Sequence, residues 1–199
     1  IVTGLVGSEM CIRDRIMKSG RNPEDVYQQL IDMGLDDVSM EVVGDFDAMY
    51  LEGIRLFRKF GKSATIKVPC TPDGLRVCRE LSRDLVNVNV TLIFSPAQAI
   101  LAAKAGAKYV SPFVGRVDDN SFDGIDLVDQ ISDIYTIQNI RKTEILAASV
   151  RDVKTVSDAF GAGAHVVTMP PSILEKMYNH VLTDRGLYQF DMDWAKVKR

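Results

Sequence analysis

A repeated alternation constrains this chain most. Short β-branched runs occur at 38–43 (VSMEVV), 64–68 (ATIKV), 88–94 (VNVTLIF), 108–113 (KYVSPF), 143–149 (TEILAAS) and 164–169 (AHVVTM). Stretches of helical character lie before, between and after them, at 23–33, 46–60, 72–82, 96–105, 123–139, 153–160, 172–178 and 184–197. Strands joined through helices pair in parallel, so the pattern predicts a single α/β domain of βα units. The junctions carry helix-start chemistry. Asn22-Pro23, Thr71-Pro72 and Ser95-Pro96 each put a capping side chain before a proline at the first helical position. Ser95 with Gln98 and Ser172 with Glu175 read as capping boxes. Gly106 and Gly161 stand where helices should stop. Periodicity alone does not separate a barrel from an open doubly wound sheet. The absence of a Gly-x-Gly-x-x-Gly turn weakens a dinucleotide-binding reading.

The length of 199 residues is at the lower edge for a (β/α)₈ barrel. With 24 Lys+Arg against 27 Asp+Glu, the net charge of −3 argues against nucleic acid as an obligatory partner. No apolar run is long enough to span a bilayer. Cys11, Cys70 and Cys78 form neither a disulfide framework nor a metal-ligand spacing, and they suit a reducing, cytoplasmic setting. His165 and His180 are too few for a zinc site.

Residues 1–15, IVTGLVGSEMCIRDR, do not match the remainder of the chain. Their apolar start is too short for a signal peptide, and charges stand where a cleavage site belongs. GSEMCIRDR resembles translated sequencing-adaptor sequence, so 1–15 is set aside as non-native and 16–199 is read as the domain; the alternative is a native disordered N-terminus. Removing the segment takes away two bases (Arg13, Arg15) and two acids (Glu9, Asp14), which leaves the net charge unchanged.

Lys67 is the first candidate for chemistry. It stands in Ala-Thr-Ile-Lys-Val-Pro, among residues expected to be buried on both faces of a parallel strand. Burying an ammonium is costly and favours the neutral amine, which can attack a carbonyl and form a Schiff base. The alternative is a lysine that reaches from the strand end into water. Glu41, in Met-Glu-Val-Val, is by the same logic either ion-paired or an acid/base group. Asn89 and Thr91 are two apart and share a strand face. They would hold a water or substrate hydroxyls, or else pair with backbone. Arg116 and Arg151 follow two consecutive strands, with Ser111 and Ser149 just ahead of them. Together these four would cradle an anion at the C-terminal ends of the strands. The alternative pairs both arginines with Asp118, Asp119 or Asp152. His165 reads as structural, and Tyr178 and His180 as surface residues at a helix end. Cys70 lies near the candidate site, with nothing to make it a nucleophile. Leu187, Phe190, Trp194 and Val197 form an apolar stripe that either closes the domain or docks on a neighbouring copy.

Four segments belong together: Ile-Lys-Val-Pro (66–69) with Thr71-Pro72-x-Gly74, Asn-Val-Thr-Leu-Ile-Phe-Ser (89–95), Tyr-Val-Ser-Pro-Phe-Val-Gly-Arg (109–116) and Leu-Ala-Ala-Ser-Val-Arg (146–151). In combination they resemble the transaldolase family, in its short branch that also contains the fructose-6-phosphate aldolases. The resemblance runs from about Ile16 to Trp194. It implies a TIM (β/α)₈ barrel and a cofactor-free, metal-free class I enzyme. Such an enzyme moves a dihydroxyacetone unit between sugar phosphates in the pentose phosphate route. It implies Lys67 as the Schiff-base lysine, Glu41 and Thr91 around a proton-shuttling water, and Asn89 on the dihydroxyacetone chain. Arg116 and Arg151 would bind phosphate, with Ser111 and Ser149 helping. Glutamate at 41 and phenylalanine at 113 favour transaldolase, since the aldolases tend to carry glutamine and tyrosine there. Short family members tend to assemble as pentamer-based decamers with the C-terminal helix on a neighbour, while the charge and the lack of a spanning run argue for no nucleic-acid and no membrane partner.

The front of the chain departs from the family. The Leu-Asp-Thr-like first strand and the strand ending near Thr-Thr-Asn-Pro have no counterpart, so the expectation is an incomplete barrel lacking its first two strands. That corresponds to a βαβ unit of about 30 to 35 residues. The absent aspartate would be the main acid/base group. The chain as written is therefore expected to be poorly stable and weakly active or inactive, although the resemblance implies a transaldolase as its full-length parent, and to be open between the strand at His165 and the strand at Glu41. Two other classes fit less well. One is a phosphate-binding isomerase or aldolase barrel with a different acid/base set, and the other is a non-catalytic sugar-phosphate-binding barrel.

Overall fold

The computed structural model describes residues 20–197. The proposed non-native segment 1–15 lies outside them. Six strands form one sheet: β1 (Val38–Glu41), β2 (Ala64–Pro69), β3 (Asn87–Ile93), β4 (Tyr109–Pro112), β5 (Glu144–Ala147) and β6 (Val166–Val167). Their spatial order is their chain order and every pairing is parallel. The helices are α1 (Pro23–Asp32), α2 (Phe46–Phe60), α3 (Pro72–Arg83), α4 (Pro96–Ala105), α5 (Val114–Asp119), α6 (Gly124–Ile137), α7 (Val153–Gly161), α8 (Pro171–Met177) and α9 (Val181–Val197). The result is an α/β half-barrel, with β1 and β6 at its two ends. Among the described residues no helix is long and apolar enough to cross a membrane.

The two faces of the sheet differ in composition. Side chains at register partners in a parallel sheet point to the same side. One set contains Met40, Ile66, Val68, Val88, Val90, Val110, Ile145 and Ala147, all fully buried in one continuous cluster with Met49, Leu56, Val77, Leu81, Val128, Ile131 and Val156 from the helices. The alternate set contains Ser39, Glu41, Thr65, Lys67, Asn87, Asn89, Thr91, Tyr109 and Ser111. Burial on both faces, expected of parallel strands, therefore coexists here with a polar inner face.

Two cross-strand contacts record the curl. Asp37, just ahead of β1, accepts from Lys108 Nζ at 2.7 Å and from the Tyr109 hydroxyl at 3.0 Å, both at the start of β4. A flat sheet would separate strands three places apart by about 14 Å. Burial opposes the charge on Lys108, but the bonds to Asp37 and Tyr109 outweigh it and raise its pKa.

Most of the expected caps form. Asn22, Thr71 and Ser95 accept from the N–H groups of Glu24, Gly74 and Gln98 at 2.9, 3.1 and 3.3 Å. Gln98 Oε1 accepts from Phe94 N at 2.8 Å, one residue before the cap, so its box is displaced by one position. Gly106 ends α4 with φ of 96°. Other expectations are corrected. Ser172 does not cap α8, because Pro171 opens the helix and the cap position falls on Pro170. Gly161 is the last residue of α7, and Gly163 takes the left-handed turn at φ 93°. Helix α5 was not anticipated. It has six residues, and Phe113 at its cap position offers no side-chain acceptor, so neither periodicity nor capping announces it. Helix α9 starts at Val181 rather than 184, where Leu182 N donates to His180 Nδ1 at 3.2 Å.

The α9 stripe does not close the domain. Leu187, Phe190, Trp194 and Val197 are 57%, 71%, 62% and 74% exposed, and no residue of α9 is buried.

Candidate active site

The register brings the central candidates together. Glu41 is the Cα partner of Lys67, and Lys67 of Asn89, so three adjacent strands present a carboxylate, an amine and an amide side by side. Lys67 is partly buried, midway along β2 rather than at its end. Its own face is polar, and the apolar residues flanking it in sequence point to the helices. The expectation of an amine in an apolar setting is corrected on that point.

Asn89 is 2% exposed and held from both sides. Ser111 donates its hydroxyl to Asn89 Oδ1 at 2.7 Å, and Asn89 Nδ2 donates to Ser39 Oγ at 3.3 Å. Thr91 is buried on the same face, and its Oγ1 has no partner among the described residues. Thr65 Oγ1, deeper on β2, is in the same state. A buried unpaired hydroxyl costs about 1–3 kcal/mol, so two on one inner face mark a surface suited to water or ligand. Between Val90 and Ile93, the stretch that holds Thr91, the β3–β4 register shifts, and Leu92 takes φ of 60°. Such bulges re-aim side chains at sheet ends next to sites, at a cost of about 1–3 kcal/mol for the strained residue.

A second group gathers at the C-terminal ends of β4 and β5. The α5 backbone docks on the segment after β5, where Gly115 N donates to Ser149 O at 3.1 Å. A Cβ at Gly115 would stand 2.2 Å from Ser149 O and 3.0 Å from Arg151 Nε, so only glycine permits the approach. Ser149 itself is buried with φ of 65°. Arg151 forks onto Asp119, with Nη1 and Nη2 at 2.5 and 2.6 Å from its two oxygens. Arg116 stacks on Phe113, its Cζ 4.9 Å from the ring centroid, and Phe113 packs edge-on against Phe94 at 5.7 Å. The Arg151 hydrogen bonds, then its charge and that of Arg116, hold the Asp119 carboxyl below its usual pKa. Gly115, the chain neighbour of Arg116, lies against Arg151 Nε, so the two arginines start from adjacent backbone, and Arg151 has the acidic partner that the alternative reading allowed.

The remaining candidates take structural places. His165 Nδ1 accepts from Ile145 N at 3.2 Å, completing the ladder beside β6. Tyr178 and His180 are exposed. Cys70 is half-buried near Gln98, and burial pushes its thiol pKa up, away from thiolate chemistry. Ser39, Thr65 and Tyr109 on the inner face were missed. Their signal was the period-two alternation through Glu41, Lys67 and Ser111.

Fold and site together define a β/α-barrel type of protein with an amine–carboxylate–amide row on β1–β3 and a guanidinium pair after β4 and β5. Residues 15–199 match the family model described as transaldolase/fructose-6-phosphate aldolase, and the chain belongs to that family. It is 52% identical to a probable transaldolase of Nitrosopumilus maritimus over 182 residues, 91% of this chain and 82% of that protein. It is 51% identical over 186 residues to one from Paracoccus denitrificans, covering 92% and 83% of the two chains. A third, from Caulobacter vibrioides, is 46% identical over 196 residues, covering 98% and 89%.

Proposed function

We propose that this chain carries transaldolase chemistry, transferring a dihydroxyacetone unit from a ketose phosphate to an aldose phosphate through a Schiff base on Lys67. The observation that supports it is the register placing Lys67 between Glu41 and Asn89 on the polar inner face. In this reading the Lys67 amine adds to the ketose C2 carbonyl and water leaves to form the iminium. The C3–C4 bond then breaks, its electron pair passing into the iminium to give an enamine. A water held by Glu41 and Thr91 takes the C4 hydroxyl proton as the aldose phosphate departs. Addition of the enamine to an acceptor aldehyde, then hydrolysis, returns the free lysine.

Asn89 and Ser111 would hydrogen-bond the bound three-carbon unit. Arg116 and Arg151, with Ser149 beside them, would take the phosphate, which has to compete with Asp119 for the Arg151 fork. Glu41 and Phe113 favour transfer over simple aldol cleavage. The exposed stripe of α9 fits a homo-oligomer in which a second copy covers it. A place in the pentose phosphate route follows from these substrates, and the free thiols of Cys70 and Cys78 fit a reducing, cytoplasmic setting.

Borohydride trapping tests the proposal. The protein is incubated with fructose 6-phosphate, reduced, and mapped by peptide mass spectrometry. A dihydroxyacetone-sized adduct on the Lys67 peptide is expected. An adduct on another lysine, or none from protein that melts cooperatively, overturns it. Release of free dihydroxyacetone, with no dependence on an acceptor aldehyde, would favour the fructose-6-phosphate aldolase reading.

A further inference from the structure

Asn89 reaches further than its neighbours on the sheet. Its amide touches Ser111 on β4, and on the other side it passes across β2 to Ser39 on β1. In a flat sheet, strands two places apart lie about 10 Å from each other. The contact therefore exists because the half-barrel curls at this level, where Lys67 is the register neighbour of Asn89. A carboxamide rotates freely about its last bond unless both ends are held. Here the oxygen end is held by the short bond from Ser111 and the nitrogen end by the longer bond to Ser39. With its hydrogen donated to Asn89, Ser111 keeps only lone pairs to offer elsewhere. Asn89 Nδ2 has two hydrogens, and Ser39 takes one. Next to Ser39 in register stands Thr65, whose buried hydroxyl has no partner among the described residues and so does not bond to Ser39.

We infer that Ser39 is a positioning residue: it fixes the Asn89 amide plane, so that the second Nδ2 hydrogen and the Ser111 lone pairs are presented together beside Lys67. The substrate group this arrangement fits is a hydroxyl, which accepts from the amide and donates to Ser111. Ser39 itself touches no substrate. The inference rests on the Lys67 Schiff-base reading for its consequence, while the amide's restraint is measurable without it.

The test uses the full chain and the variants S39A, S39T, N89A and S39A/N89A, with the melting temperature of each recorded. In wild type, S39A should slow the formation of the borohydride-trapped Lys67 adduct from fructose 6-phosphate by about fivefold, the worth of one neutral hydrogen bond. S39T, which keeps the hydroxyl, should restore it. In the N89A background S39A should add nothing, because the group it positions is gone. An unchanged rate in S39A, or equal slowing in both backgrounds, overturns the inference.

If wild type forms no adduct, the Schiff-base reading fails for this chain. The inference is then decided by the Asn89 side-chain amide resonances. Slowed exchange in wild type that is lost in S39A and regained in S39T supports it, and exchange indifferent to Ser39 overturns it.

Discussion

The two faces of the sheet come from the same six strands and obey different rules. The face toward the helices is apolar, dry and closely packed. The inner face carries an amine, a carboxylate, two amides and several hydroxyls, and leaves two buried hydroxyls without partners among the described residues. The first face is what folding selects for. The second is a surface that folding alone would not choose, since unpaired buried polar groups oppose stability. Stability should therefore reside on one side of each strand and chemistry on the other, with a separation of one residue.

Neighbours on β2 give the strongest contrast. Lys67→Met should abolish the trapped adduct and lower transfer activity by on the order of a thousandfold or more, with urea unfolding little changed. Ile66→Ala, one residue away, should destabilise by about 2–5 kcal/mol in urea unfolding. Its remaining folded fraction should still trap the adduct. Equal losses of stability in both variants would break the comparison.

The arginine pair comes next. Arg151→Ala should weaken competition by inorganic phosphate about tenfold or more, the worth of charged hydrogen bonds, while adduct formation from unphosphorylated dihydroxyacetone is unchanged. Asp119→Asn, which releases the fork, should tighten phosphate binding. The two shifts are read as inhibition constants and should have opposite signs.

Thr91→Val separates the two roles on a smaller scale. Replacing this hydroxyl by a methyl of similar volume should change stability by no more than about 1 kcal/mol while slowing adduct formation. A variant that is destabilised and fully active would contradict the division of labour.

The smallest effect lies outside both faces. Glu24 on α1 bonds to Arg55 and Lys59 of α2, and these hydrogen bonds lower its carboxyl from 4.5 to about 2. A depressed carboxylate stabilises the fold above its unfolded pKa and loses that contribution as pH falls through the folded value. The contribution should be complete above about pH 5 and decline toward pH 2. With both cationic partners half-exposed, Glu24→Gln should cost only about 0.5–1 kcal/mol at neutral pH, and it should flatten this part of the stability–pH curve.

Much of this was legible in the linear chain. Six β-branched runs with capped helices between them identified the parallel units, because capping and alternation are local physics. Lys67, Glu41, Asn89 and Thr91 stood out as polar residues in otherwise apolar strands, and Arg116 and Arg151 as cations just after two of them. Helix α5 was not legible, because it forms only by docking on the backbone after β5, through an approach that glycine at 115 permits. Alternation with Glu41 gives the face of Ser39, but its contact with Asn89 was not legible either. A serine in a strand is unremarkable until curvature brings it within reach of an amide two strands away.

Element types, the apolar stripe of each helix and the residue types available for chemistry were written in the local pattern of the chain, since these depend on neighbours a few positions apart. Which polar side chains share a level, and how far the sheet curls, came only with the assembled fold. So did the placing of the Arg151 fork on Asp119 and the exposure of the α9 stripe. Those outcomes depend on register and on contacts between residues dozens of positions apart, which no local pattern specifies.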